Sequence, residues 1–192
     1  MGGACGAVTS LAAEPLLAKR GGMAVRPILL ILTGFAAAWA CAALRLSGGP
    51  PALLFLPIAL SVALLAWGWR GSRTFAQNGR NVRKTVALWS SIEVVALVVT
   101  ANLLQILGRG DLAFPLAAII VGLHFLPLAR GIPVRLYYAT GAGLLLAGGA
   151  GLLVGAHERP MVVGFGAALT LWATALVVAQ RARRAQAAPS AA

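Results

Sequence analysis

Six apolar runs, each close to twenty residues and separated by short polar breaks, constrain this chain more than any other feature. They extend from about Pro27 to Leu44, Ala52 to Trp69, Thr85 to Leu107, Leu112 to Ala129, Leu136 to Ala156 and Met161 to Gln180. A helix rises about 1.5 Å per residue, so about 20 apolar residues cross the ~30 Å hydrocarbon layer of a bilayer. Strands of globular proteins are far shorter, about 5–6 residues. The predicted fold class is therefore all-α, an integral membrane bundle of about six transmembrane helices. Gly48 to Pro51, Gly108 to Asp111, Arg130 to Pro133 and His157 to Pro160 break the runs, and Arg70 to Lys84 is the longest polar link. Links this short join antiparallel neighbours, which predicts an up-and-down topology. They also leave no room for an extramembrane domain.

Composition agrees. Hydrophobic residues make up 60% of the chain and charged residues 10%, against about 45–50% and about 25% in soluble proteins. Four carboxylates and sixteen bases cannot coat a water-facing surface. The net charge of +12 does not mark a nucleic-acid binder. The bases fall between apolar runs instead of gathering on one polar face.

Those bases orient the bundle, because cytoplasmic links are enriched in Lys and Arg. With a cytoplasmic N-terminus, thirteen of the sixteen lie inside: Lys19, Arg20, Arg26, Arg70, Arg73, Arg80, Arg83, Lys84, Arg130, Arg135, Arg181, Arg183 and Arg184. Arg45, Arg109 and Arg159 lie outside. Both termini are expected in the cytoplasm. The Arg-, Ala- and Gly-rich usage points to a bacterial inner membrane. Residues 1–26 are expected to be a disordered cytoplasmic segment, 27–180 the transmembrane domain and 181–192 a cytoplasmic tail. Met23 opens a natural start, and translation from it is one reading of the N-terminal region. Another reading is a signal peptide, with Ala38-Trp39-Ala40 before Cys41 as the cleavage-like sequence, although Trp39 fits such a site poorly.

The third run is unusually polar, carrying Ser90, Ser91, Glu93, Thr100, Asn102 and Gln105. At about 100° per residue, Glu93 and Thr100 share a face, while Ser91 and Asn102 lie roughly opposite. Polar groups on two faces predict a central helix hydrogen-bonded to two neighbours. Glu93 is the one acid well inside a predicted span, and a charge there is costly enough to mark a proton or cation site. His124 is the second intramembrane ionisable group. Pro127 follows it and cannot donate to the carbonyl of Leu123, so a local kink is expected beside the imidazole. Measured from their cytoplasmic ends, Glu93 and His124 lie roughly 12 Å and roughly 8 Å deep. The expectation is that they meet, with Gly122 giving room for the neighbouring helix, and with Thr100 and Asn102 completing a candidate polar site.

The fifth run carries Gly143, Ala147, Gly151 and Gly155 at four-residue intervals. This small-xxx-small ridge allows close backbone approach. Its expected partner is a helix of the same chain, a second copy or another membrane protein.

No catalytic residue is identified. There is no Gly-x-Ser-x-Gly, His-Glu-x-x-His or Walker sequence. Cys5 and Cys41 are far apart and form no Cys-x-x-Cys pattern, and two histidines supply no metal or haem site. No cofactor is expected. The segment FPLAAIIVGLHFLPLARGIPVRLYY, residues 114–138, resembles a family of small, uncharacterised bacterial multi-pass membrane proteins. Their Gly-Leu-His-Phe-x-Pro-Leu-Ala run ends one helix before a short basic link. The resemblance covers the third to fifth helices and implies topology, not activity. The expected function is that of a non-enzymatic inner-membrane component, whose partners are the lipid bilayer and a protein at the fifth helix. The alternative is a small secondary transporter or channel using Glu93 and His124.

Overall fold

The computed structural model describes residues 25–69, 80–131 and 136–187. Six helices fill them: α1 Val25–Leu46, α2 Phe55–Trp69, α3 Arg80–Ile106, α4 Ala113–Gly131, α5 Leu136–Leu153 and α6 Arg159–Ala187. Short 3-10 turns at Pro51–Leu54 and Gly110–Leu112 lead into α2 and α4. Each helix, α2 together with its leading turn, is long and apolar enough to cross a membrane. The chain is thus an all-α, multi-pass membrane bundle.

Contacts between helix ends establish the up-and-down order. The Arg26 guanidinium lies 4.9 Å from the centre of the Trp69 ring, and that of Arg183 lies 4.6 Å from Trp67. This brings the start of α1 and the ends of α2 and α6 to one level, the basic end. At the opposite end, the Arg159 guanidinium binds the Asp111 carboxylate and its Nε donates to the Gly151 carbonyl at 3.2 Å. This arginine clasps the starts of α4 and α6 to the end of α5.

Helices in lipid gain little from burying apolar surface, so they associate by close packing and hydrogen bonds. The residues of α6 suit it to the centre, against α1, α2, α4 and α5. Ala167, Ala168 and Ala175 on α6 and Ala36, Ala40 and Ala43 on α1 are almost fully buried. A Cβ on Gly164 would stand 2.8 Å from the Trp39 carbonyl oxygen. Polar latches add direction. The Trp172 indole N–H donates to Ser61 Oγ at 2.8 Å, and the Thr140 and Thr174 hydroxyls meet at 2.8 Å. The α1 segment through Ala40, which the cleavage reading would remove, supplies Leu29, Leu32, Ala36 and Ala40 to this core.

The glycine ridge of α5 faces α6 for three of its four members. Cβ atoms built on Gly143 and Gly151 would fall 2.5 Å and 2.1 Å from Thr170 and Val163 side-chain atoms. Ala147 lies against Gly166, whose own added Cβ would meet it at 2.9 Å. Gly155 departs from expectation: α5 stops at Leu153, and a Cβ at Gly155 meets nothing within 4 Å. A second small face of α5 packs on α4. A Cβ on Gly141 would lie 2.9 Å from the Gly122 carbonyl oxygen. Gly122 therefore admits α5 and not α3, because two residues from His124 it points about 200° away.

The position of α3 is also corrected. It lies at the periphery, packed chiefly on α4, with none of its spanning window buried, against 50% for α6. The expectation of a central helix assumed that its polar groups need neighbours. Instead Ser91 Oγ donates to the Ala87 carbonyl at 2.9 Å and Asn102 Nδ2 to Val98 at 2.7 Å. Side chains that return to the i−4 carbonyl satisfy a donor within their own helix. Helix ends differ as well. α3 begins at Arg80, and α6 runs to Ala187, through the first part of the expected tail. Residues 1–24 and 188–192 lie outside the described residues.

Candidate functional site

Glu93 and His124 meet across the α3–α4 seam. His124 Nε2 is 3.5 Å from Glu93 Oε2, and the two side chains are only 9% and 16% exposed. The short link between Leu107 and Asp111 makes α3 and α4 antiparallel neighbours. Similar depth from the basic end then sets the two groups at nearly one level. Rotation, which depth cannot fix, comes from packing on α4.

The imidazole is held at its other nitrogen. Nδ1 lies 3.2 Å from the Trp89 carbonyl oxygen, one turn before Glu93. A carbonyl only accepts, so Nδ1 carries the hydrogen and Nε2 faces the carboxyl group. In that arrangement the pair can hold one proton, on Nε2 or on Oε2. It gives either imidazole with carboxylic acid or imidazolium with carboxylate, and both pairs are neutral overall. Removing it would set a lone pair against a carboxylate. The geometry therefore lets the pair share a single proton. At 3.5 Å the contact is longer than the usual 2.7–3.2 Å hydrogen bond.

A cleft of about 470 Å³ opens beside the pair. Trp89, Ile92 and Ala96 of α3 and Leu123, Leu126 and Pro127 of α4 form its apolar walls, and Arg130 lines it at the basic end. α4 continues through Pro127 as one helix. Proline has no N–H, so the Leu123 carbonyl lacks its usual helical donor one turn below. Trp89 and Arg130 are the contributors that reading the sequence missed. Trp89 was findable, since a residue four before Glu93 shares its face.

The other expected members lie elsewhere. Thr100 is half-buried in a second cleft of about 450 Å³, nearer the opposite end, with Leu97, Gln105 and Phe114. Ile120 lines both clefts. Asn102 is exposed and hydrogen-bonded within α3, so it joins neither group. Nine residues from Glu93 is half a rotation at about 100° each, which directs it away. Comparison with protein-family models, curated proteins and solved structures finds no match to this chain.

Proposed function

We propose that this chain is a non-enzymatic membrane protein that uses the Glu93–His124 pair as a proton or cation site, as a small secondary transporter or channel. The reading rests on one observation: two ionisable side chains at membrane depth stand 3.5 Å apart and line the same cleft. Ionisable residues in the hydrocarbon region are costly to keep, and pairs of them mark ion and proton routes. A packing helix needs neither charge, as the alanine seam of α1 and α6 illustrates.

The base asymmetry supports a cytoplasmic side for both termini and the Arg70–Lys84 link, and so for the Glu93 cleft near the basic end. A bacterial inner membrane is the location in keeping with the composition. Proteoliposomes holding a trapped pH dye test the function. The full chain should dissipate an imposed pH gradient faster than empty vesicles. Glu93→Gln should slow this at least about tenfold, with folding retained. Wild-type vesicles no leakier than empty ones would refute the reading.

A second reading, a structural component of a larger membrane assembly, is favoured by the tight glycine packing of α4, α5 and α6. It predicts no flux and an unchanged assembly in the Glu93→Gln variant.

A further inference from the structure

The ridge of α5, the expected assembly surface, is covered by α6 of the same chain. α3 is the least buried of the six spans, with none of its spanning window buried, against 17% for α2. Its outer side carries Ser91, Val95, Val98 and Asn102, all exposed. Their spacing of four, three and four residues makes one continuous stripe on a helix. At about 100° per residue the stripe lies roughly opposite Glu93, so it is separate from the proton site.

Lipid tails cover valines without penalty but offer nothing to an amide. Asn102 uses an N–H on the Val98 carbonyl at 2.7 Å. That leaves a second N–H and the amide oxygen facing outward, four residues inside the end of α3 at Ile106. Unmet polar groups in hydrocarbon cost several kcal/mol each. A primary amide is self-complementary, since its N–H donates to the oxygen of an identical group. Every copy inserts the same way round, because the bases orient them all alike. A two-fold axis along the membrane normal therefore brings identical levels together.

We propose that α3 is a homodimer interface, in which Asn102 hydrogen-bonds to Asn102 of a second copy, with Val98, Val95 and Ser91 completing a parallel seam. The valines pack across the seam, and the Asn102 hydrogen bond fixes the register of the two helices.

Single cysteines in the full chain, with Cys5 and Cys41 replaced by alanine, test this in native membranes. Val95→Cys and Val98→Cys should form disulfide-linked dimers on mild oxidation. Ala96→Cys, on the cleft side, and Leu146→Cys, on the exposed face of α5, should not. Adding Asn102→Leu should weaken the dimer about 3- to 30-fold in mild detergent, the range for one interhelical hydrogen bond in a membrane. Because Val95→Cys and Val98→Cys retain Asn102, the test stands even if Asn102→Leu folds poorly. Dimers through Leu146→Cys, a monomeric mass with Asn102 intact, or a different protein cross-linked at Val98→Cys would each overturn the proposal. None of these outcomes depends on proton flux.

Discussion

Replacing Gly151 by alanine, and then by leucine, is expected to force α5 away from α6. Gly151 is buried where three helices meet. Its first added carbon would stand 2.1 Å from Val163 Cγ2 and 3.2 Å from Pro115 Cβ. Carbon atoms prefer about 3.5–4.0 Å, so the shortfall at Val163 is about 1.4–1.9 Å. Val163 is fully buried and β-branched, so it cannot swing aside. The backbones must separate, which loosens the packing along the ridge at Gly143 and Ala147. Overpacking of this kind costs about 1–3 kcal/mol for alanine, and leucine should exceed that and abolish folding. Gly149 is the internal control. It sits in the same helix, two residues away, with nothing within 4 Å of its added carbon. Gly149→Ala should therefore be neutral or stabilising by up to about 1 kcal/mol, since alanine suits a helix interior better. Thermal unfolding of purified protein in a mild detergent reads both. Wild-type stability in Gly151→Leu would show that this face meets lipid, and would refute the argument. Equal losses at Gly149→Ala and Gly151→Ala would show that the contact with Val163 does not set the effect, and would also refute the argument.

Reporter fusions after Gln180 and within Arg70–Lys84 should both read cytoplasmic, and a periplasmic signal at either would reverse the orientation drawn from the bases. Trp172→Phe should cost about 1–3 kcal/mol, because it removes the indole donor and leaves the buried Ser61 hydroxyl without it. Ser61→Ala combined with Trp172→Phe should cost less than the sum of the two single changes, and strict additivity in detergent unfolding would refute the latch.

The sequence alone determined the element type, the number of spans and their order. Each follows from local quantities: run length against bilayer thickness, and links too short for anything but antiparallel return. It also set Glu93 and His124 at a similar level, because the α3–α4 link is tight and their depths are close, and it left only rotation open. Which face each helix presents was decided by tertiary structure. Gly122, read as room for α3, admits α5, and the α5 ridge stops at Leu153, leaving Gly155 outside. The polarity of α3 suggested a central place. However, a hydroxyl or amide that bonds the carbonyl four residues back looks the same in sequence as one that bonds a neighbour. In lipid no water-driven burial sorts helices into core and surface. The centre goes to the helix whose small residues fit the most partners, and that fit exists only once all the surfaces meet. This is why α6, bearing Gly164, Gly166, Ala167 and Ala168, takes the middle while α3 stays at the edge.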